Sequence, residues 1–367
     1  MEIICDGLDL SDAVVTVLKA TSNKTTNPIL EGIKLKAYNS MLELSATDSE
    51  LSIIKRIKAE VLKDGEIVVP GNFFSNYIKR LTNEQLRLTV TDGKLLKISY
   101  TDSEGFIQCY NADEFPAIKK IEDENYFEMK QSDFKTLITR SIFAVAIDDS
   151  RPILKGVLLE VNDNKITAVA LDGYRLALVK KNLSSSNLNS SIIVPSRSLS
   201  EISKLLNDSD DLVKVFVKEN TLMINLDNVE ILSRLLEGDF INYKQIIPTE
   251  FQTECVINKV QFADTLDRAS LLAKFDKNNL VKFEMKENNI LITSNSEIGN
   301  IRENLPVNLK GNDISIAFNA RYLSDILKVV NEEFVKLKLN NSYAPCIIEA
   351  LDNSEYLFLV LPVRIAN

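Results

Sequence analysis

Two kinds of element are predicted from the pattern of apolar and polar positions along the chain. Runs with an apolar residue at every second position, such as residues 34–47, are typical of half-buried β-strands. Asn, Asp and Gly residues between neighbouring runs predict hairpin turns. Six segments with apolar residues three and four positions apart predict amphipathic helices. The predicted helices cover residues 11–24, 71–81, 131–143, 196–206, 259–274 and 320–329.

The order of these elements repeats three times along the chain, with a period near 120 residues. The first landmark is a strand followed by a helix, in which matching places are held by Leu10, Phe134 and Phe262. The second landmark is a strand, a turn and a helix in the middle of each unit, anchored at Val69, Val194 and Ala317. Two landmarks that share one period predict three copies of a single α+β unit.

A chain of 367 residues has room for three such units, each with a core of its own. We place the three domains at residues 1–122, 123–251 and 252–367. Repetition alone leaves open whether the units form a closed array or a row of modules that serves as an interaction scaffold.

Composition removes most kinds of enzyme. The chain contains no histidine, which excludes Ser-His and Cys-His catalysis and most zinc and iron sites. It also lacks a Walker-type or Gly-x-Gly-x-x-Gly phosphate motif. Its four cysteines stand singly in the sequence, which predicts buried apolar side chains rather than metal ligands. They are Cys5, Cys109, Cys255 and Cys346. We expect a protein without catalytic activity, cofactor or metal.

One enzymatic alternative remains, a carboxylate- or magnesium-dependent hydrolase. It would require acidic residues from predicted loops, such as Asp48, Asp148 and Asp172, to converge beside a cleft. No run of about 18 apolar residues predicts a membrane span, and the acidic N-terminal segment differs from a secretion signal. We therefore expect a cytoplasmic protein.

Charge is distributed unevenly along the sequence. The net charge is −9, which argues against a protein that binds nucleic acid with its whole surface. Each of the six predicted helices is nevertheless net positive, so the rest of the chain is more acidic than the total. Helices that shared one face would make that face attractive to phosphate.

Four segments carry a resemblance to a known family. They are RPILKG at 151–156, LDGYRLAL at 171–178, GDFINYKQIIP at 238–248 and LVLPVRI at 359–365. Within the threefold repeat, these segments resemble the bacterial DNA sliding clamp family, the beta subunits of DNA polymerase III. The resemblance covers the whole chain.

The resemblance implies a ring-shaped homodimer of the DNA-clamp fold, with helices lining a central hole and antiparallel sheets outside. Duplex DNA would pass through the hole without being read for sequence, and the ring would be a processivity factor that tethers the replicative polymerase. DNA contacts are expected from Lys24, Lys79, Arg80 and Arg197. Contacts between the two copies are expected from Phe106, Ile107, Leu271 and Leu272.

The resemblance also implies a hydrophobic cleft that binds short linear motifs of DNA polymerase, clamp loader and repair proteins. The cleft residues in the middle domain are expected to be Leu154, Leu171, Gly173, Tyr174, Arg175, Leu176, Ile241 and Ile246. The last domain and the C-terminal segment are expected to add Asn319, Tyr322, Val360, Leu361, Pro362, Val363 and Arg364.

Five positions depart from the family pattern, and one of them is Lys24, which stands where an Arg is frequent. Leu171, Tyr174 and Ile241 stand where the family often has Thr, His and Pro. These departures keep the cleft apolar or aromatic, but they are expected to shift its peptide preference. Asp148 falls in a loop where a neutral Gln can touch DNA, and a carboxylate there would repel phosphate.

Overall fold

The computed structural model describes residues 1–22, 25–91, 94–118, 121, 125–148, 150–275, 278–351 and 355–364. The chain forms two compact units. Unit 1 comprises Met1–Glu128 and Asp211–Leu235, and unit 2 comprises Met129–Asp210 and Leu236–Asn367.

Each predicted helical window overlaps an α-helix. The helices are α1 Gly7–Leu18, α2 Gly71–Ile78, α3 Gln131–Ile142, α4 Ser196–Leu205, α5 Lys259–Ala273 and α6 Ala320–Val329. The largest difference from prediction is at α1, which begins four residues before the predicted window and ends six residues before the end of that window. Asp6 caps this helix, because its carboxylate accepts hydrogen bonds from the N–H groups of Leu8 and Asp9 at 2.8 and 3.1 Å.

The strands of the described residues fall into three groups along the chain. The first group is β1 Glu2–Asp6, β2 Gly32–Tyr38, β3 Met41–Thr47, β4 Leu51–Lys58, β5 Glu60–Lys63, β6 Gly65–Pro70, β7 Gln85–Thr91, β8 Leu95–Tyr100 and β9 Ser103–Gln108. The second is β10 Tyr126–Lys130, β11 Gly156–Asn162, β12 Lys165–Leu171, β13 Arg175–Asn182, β14 Ser185–Ser186, β15 Ser190–Pro195, β16 Leu212–Lys218, β17 Thr221–Leu226 and β18 Val229–Arg234. The third is β19 Thr253–Asn258, β20 Leu280–Lys286, β21 Asn289–Ser296, β22 Gly299–Pro306, β23 Asn308–Gly311, β24 Ile314–Asn319, β25 Phe334–Leu339, β26 Cys346–Ala350 and β27 Tyr356–Val360.

All three groups have the same order of elements. Each runs as one strand, a helix, five strands, a second helix and three strands, which confirms the predicted repetition of an α+β unit. One anchor of the repeat was wrong by a residue. Val69 and Val194 pair with Ile33 and Val157 on the neighbouring strand. The residue with the equivalent partner in the third group is Phe318 rather than Ala317.

The three-domain division stays a prediction. The boundary predicted near residue 122 lies outside the described residues. Residues 248–252, at the second predicted boundary, form no helix or strand, and β19 begins directly after them.

Unit 1 contains two antiparallel sheets. The first has the strand order β5-β1-β7-β8-β9, and the strands of the second include β16-β17-β18-β4-β3-β2-β6. The pair β18–β4 joins a strand of the second group to one of the first, with Ile231 opposite Ile53. Helices α1 and α2 pack against each other, and α1 also covers β3 and β4.

Unit 2 also contains two antiparallel sheets, with the orders β15-β11-β12-β13-β27-β26-β25-β19-β23 and β22-β21-β20-β24. The pair β13–β27 joins a strand of the second group to one of the third, with Ala177 opposite Phe358. Helix α3 packs on α4, and α5 packs on α6 and on the strands β21 and β22. Helices therefore cover one face of these sheets.

The alternating apolar positions of the strands are buried as the sequence pattern predicts. The four cysteines are free and buried, which confirms that prediction. None of the helices in the described part of the chain combines the length and apolar character that crossing a bilayer requires.

Candidate partner-binding cleft

A tight turn between β12 and β13 forms the base of the predicted cleft in unit 2. Leu171 and Leu176 face each other at the ends of the two strands. The Asp172 carboxylate accepts hydrogen bonds from the N–H groups of Tyr174 and Arg175 at 2.9 and 3.1 Å. Gly173 adopts a φ of +93°, which a residue without a Cβ adopts at little energetic expense. The Asp-Gly pair therefore fixes the direction in which the next two side chains point.

Arg175 is the buried charge of the cleft, with only 6% of its surface exposed. Its Nε donates to Asp172 at 3.0 Å, and its Nη1 donates to Asp325 of α6 at 2.7 Å. The guanidinium also lies 4.7 Å from the centre of the Tyr322 ring and 5.4 Å from that of Phe143. Two carboxylates and two rings thus hold a charge that would be unfavourable to bury alone.

Tyr174 forms an aromatic wall at the mouth of the cleft. Its ring stacks on Tyr322 with a centroid distance of 6.1 Å and an interplanar angle of 22°, yet 61% of the residue is exposed. Tyr322 is positioned by α6, whose first turn is capped by the Asn319 side chain, which accepts from the Arg321 N–H at 2.9 Å. Burial and the nearby Asp172 carboxylate raise the pKa of Tyr322, so its hydroxyl stays protonated.

The C-terminal segment closes one side of the cleft. Val360 pairs with Arg175 at the end of β27. After it, the Leu361 N–H donates to the Tyr174 carbonyl at 2.8 Å, and the Val363 N–H donates to the Ala317 carbonyl at 2.8 Å. These bonds hold Leu361 against the apolar floor, while Pro362 and Val363 are half-buried and Arg364 is exposed.

These elements enclose a small apolar pocket of about 50 Å³. Its lining residues are Leu171, Gly173, Tyr174, Arg175, Leu176, Ile246, Leu359 and Leu361. Seven of these eight were predicted, and Leu359 was not. Leu154 and Ile241 pack into the hydrophobic cluster that continues beneath the pocket. Asp325 and Phe143 were also missed, because their contribution is made through Arg175 and no local motif marks them.

The segment that closes the middle repeat forms a second cavity, of about 310 Å³, which is more polar than the first. The Tyr243 hydroxyl donates to Glu160 at 2.5 Å, and burial together with this carboxylate raises the pKa of Tyr243. Ile241 lines this cavity, while Ile246 lines the apolar pocket. The segment therefore separates the two cavities.

The predicted DNA-contacting residues lie at helix ends where the structure describes them. Lys79 and Arg80 follow α2 and Arg197 lies in the first turn of α4, and all three are exposed. Lys24 lies outside the described residues. The positive charge of the helices is smaller than their sequence indicates, because Arg140 is buried and bound by Glu332 at 3.1 Å.

The acidic residues of the hydrolase alternative are each engaged in a local turn. Asp48 accepts from the Leu51 N–H at 2.8 Å, and Asp172 binds Arg175 as described. Asp148 accepts from the hydroxyl and the N–H of Ser150, which together lower the pKa of Asp148 and keep it charged. In the residues that the structure describes, no group of three or more potential ligands could hold a metal ion.

The residues expected at a contact between copies lie on β9 and α5. On β9, Phe106 is 53% exposed and Ile107 only 4% exposed, because successive residues of a strand face opposite sides. A Cβ on Gly105 would lie 2.5 Å from the Tyr77 hydroxyl, so Gly105 faces α2 and Phe106 points away from it. On α5, Leu271 is 58% exposed and Leu272 half-buried.

Comparison with known proteins gives a consistent result along the chain. Three models of the DNA polymerase III beta subunit match it: the N-terminal domain at residues 1–119, the central domain at 128–242 and the C-terminal domain at 244–364. The beta sliding clamp of Bacillus subtilis is 33% identical over 367 residues, covering 97% of each chain. That of Staphylococcus epidermidis is 31% identical over 357 residues, covering 95% of each.

Solved structures show the same similarity. The crystal structure of the DNA polymerase sliding clamp from Bacillus subtilis matches with a TM-score of 0.97 and 32% identity, over 100% of both chains. That of the DNA polymerase III beta subunit from Thermotoga maritima matches with a TM-score of 0.92 and 29% identity, also over 100% of both chains.

Proposed function

The chain belongs to the DNA polymerase III beta subunit family, the beta sliding clamps, and on this premise we propose that it encircles duplex DNA as a homodimeric ring. In this role it tethers DNA polymerase to the template and is not itself a catalyst. Since replication in bacteria takes place in the cytoplasm, the chain would act there.

The observation that carries the dimer is a pattern of strand pairing. The last strand of the second group, β18, pairs with β4 of the first, and the last strand of the third group, β27, pairs with β13 of the second. The last strand of the first group, β9, is an edge strand, and so is β22, the counterpart of β4 and β13 in the third group. A second copy can supply the missing partner to each. This head-to-tail contact, made twice, closes two chains into a ring.

The exposed cations at the helix ends support DNA binding. Lys79, Arg80 and Arg197 offer charge without a binding surface shaped to read base edges. Weak phosphate contacts suit a protein that must slide, since a topologically closed ring does not rely on affinity to remain on DNA.

The pocket beside Tyr174 and Leu361 supports capture of short peptides. Its walls are apolar, and the hydroxyl of the exposed Tyr174 at its mouth is a polar group that can orient a ligand. We propose that polymerases, clamp loader and repair proteins bind here through segments with a Gln and a downstream Leu or Phe. Burial of about 300 Å² of apolar surface provides roughly 7 kcal/mol, and the loss of chain entropy lowers this gain, so apolar contact alone gives weaker than micromolar affinity.

Topological tethering is tested by loading the protein onto a closed circular duplex with its clamp loader and then cutting the circle with a restriction enzyme. We expect the protein to stay on the intact circle and to leave the linear product within minutes by sliding off its ends. Equal retention on the circle and on the linear DNA would refute an encircling mechanism.

A matched control uses a change at the proposed contact between copies. Leu271→Ala combined with Leu272→Ala removes apolar surface from the end of α5 without touching the cleft or the charges near α2 and α4. We expect this variant to be monomeric on sedimentation and to be lost from circle and linear DNA alike.

A further inference from the structure

We propose that Glu104 of one copy and Arg302 of a second copy lie directly opposite each other where β9 and β22 pair, and that their opposite charges set the register of this contact. The proposal rests on the homodimer proposed above. It concerns the contact between copies, which no residue pair described so far defines.

The register follows from two strand pairs within one chain, β18–β4 and β27–β13, which we call joints because each connects two groups of strands. The last strands of the three groups are β9, β18 and β27. Equivalent positions on them are the ones that pair with Ile98, Ile224 and Ile348 of the strand before. The residues at these positions are Gly105, Ile231 and Phe358.

The strands with which these last strands pair, or would pair, are β4, β13 and β22; these receiving strands have an equivalent position as well. On the strands that precede them, the matching apolar residues are Leu42, Ile166 and Ile290, and four residues further on stand Ala46, Ala170 and Ser294. The equivalent position on each receiving strand is the one opposite these last three residues. The residues concerned are Ile53, Ala177 and Ile301.

Both joints within the chain pair these two positions. Ile231 lies opposite Ile53 in unit 1, and Phe358 lies opposite Ala177 in unit 2. Applied to the free edges, the same rule places Gly105 opposite Ile301. In an antiparallel pair the next residue back on one strand meets the next residue forward on the other, so Glu104 meets Arg302.

The two residues are suited to this pairing. Glu104 is the one charged residue in the β9 sequence SEGFIQ, and its side chain is 52% exposed although its carboxylate forms an ion pair with Lys97 of β8. The β22 sequence GNIRENLP carries two charges. Glu303 is bound by Arg268 of α5 at 2.8 Å, whereas Arg302 is exposed on the opposite side of the strand. A positive and a negative side chain therefore project from the same face of the joined sheet.

The helix side of the joint is consistent with this register. Gly105 and Ile301 would meet on the face that carries α2 and α5, where Tyr77 fills the space beside Gly105. The exposed Leu271 at the end of α5 and the exposed Phe73 of α2 provide apolar surface on that face. The other face carries the exposed Phe106 beside Glu104, so apolar surface on both faces and charge on one favour a second copy of this chain as the occupant.

Charge reversal tests the pair. Two single variants are made, Arg302→Glu and Glu104→Arg. Each places like charges opposite each other at both contacts between the copies of the ring. Like charges directly across an antiparallel pair are destabilising, and each ring contains the joint twice. We expect each single change to raise the dimer dissociation constant by about tenfold or more in low salt, with a smaller effect in high salt.

The decisive measurement is whether the two changes together restore dimerisation. A chain that carries both changes should dimerise within about threefold of the original protein. An equimolar mixture of the two single variants should form a mixed dimer, since each of its two joints then brings one positive and one negative side chain together. Native mass spectrometry distinguishes the mixed dimer when one variant is isotope-labelled.

A mismatched control combines Glu104→Arg with Lys286→Glu, which changes an exposed charge on the inner strand β20. This control should remain as weak as Glu104→Arg alone. Single variants with unchanged dimerisation, or a double variant no better than the singles, would overturn the register. A wild-type chain that stays monomeric at every concentration would instead refute the proposed homodimer itself.

Discussion

Replacement of Asp325 by Asn is expected to weaken peptide binding although Asp325 does not line the apolar pocket. Its carboxylate accepts a hydrogen bond from the Arg175 Nη1 at 2.7 Å. Arg175 lines the pocket although only 6% of the residue is exposed. Asp325 therefore acts as a positioning residue, because it holds a cleft residue in place from α6.

The magnitude follows from what the substitution removes. A hydrogen bond to a charged group contributes roughly 1.5–3 kcal/mol. Asp172 still binds Arg175 at 3.0 Å and Asp325 is partly exposed, so we expect a loss of ~1–2 kcal/mol in unfolding free energy. A peptide must then restore the displaced Arg175 when it binds. We expect a five- to tenfold rise in its dissociation constant, corresponding to ~1–1.4 kcal/mol.

The assay can use tryptophan fluorescence, because the chain contains no tryptophan. A single tryptophan at the end of a short Gln- and Leu-containing peptide then reports binding without background from the protein. Glu332→Gln is the matched control. Glu332 lies just after α6 and, like Asp325, binds a buried arginine, Arg140, but this pair does not line the pocket.

The two variants separate positioning from general destabilisation. Both should lower the unfolding free energy, and Asp325→Asn alone should lower peptide affinity, with partial recovery in Asp325→Glu. Equal affinity losses in Asp325→Asn and Glu332→Gln would refute the positioning role, and so would unchanged affinity in Asp325→Asn.

Two further predictions concern DNA contact and the thiols. Neutralising Lys79, Arg80 and Arg197 together should weaken DNA retention. A salt titration should also show a slope of log affinity against log salt concentration that is shallower by roughly 0.9 per lost phosphate contact. An unchanged slope would show that these cations do not touch DNA. Burial raises the pKa of Cys5 to about 12, of Cys109 to about 11 and of Cys255 to about 12, and Cys346 is fully buried. Native protein at pH 8 should therefore react with a thiol reagent far more slowly than unfolded protein, in which all four thiols react, and rapid native labelling would contradict the burial of these strands.

The repeat could be predicted from the sequence because local patterning and global arrangement agree. Strand periodicity and turn residues locate the elements, and two landmarks fix their order. The errors arose where one residue decides the outcome. Asp6 caps α1 and moves its start, and the anchor at Ala317 was one position short because a Pro in the first two repeats is replaced by Asn319 in the third.

The cleft could be predicted only in part, because its residues differ in how they are recognised. Tyr174 and Leu361 fall within contiguous motifs that resemble the family. Asp325 is separated from Arg175 by 150 residues, and an aspartate within an amphipathic helix gives no local indication of a buried partner. The positive charge predicted for α3 is too high for the same reason, since the charge of Arg140 is neutralised by Glu332 from another element.

The joints between repeats explain why a charged pair should stand where copies meet. At the two joints within the chain, the positions equivalent to Glu104 and Arg302 hold Glu230 opposite Ile54 and Leu357 opposite Leu178. These joints form as each chain folds, so the apolar side chains of Ile54, Leu178 and Leu357 are covered at once, while Glu230 is paired with Arg56. The edges β9 and β22 remain uncovered until two copies meet and are uncovered again whenever the ring opens. An exposed apolar edge strand promotes unspecific pairing, and charge on the edge opposes it. Opposite charges on the two edges disfavour β9–β9 and β22–β22 contacts while favouring β9–β22, so the same pair keeps the single copy from aggregating and selects the head-to-tail partner.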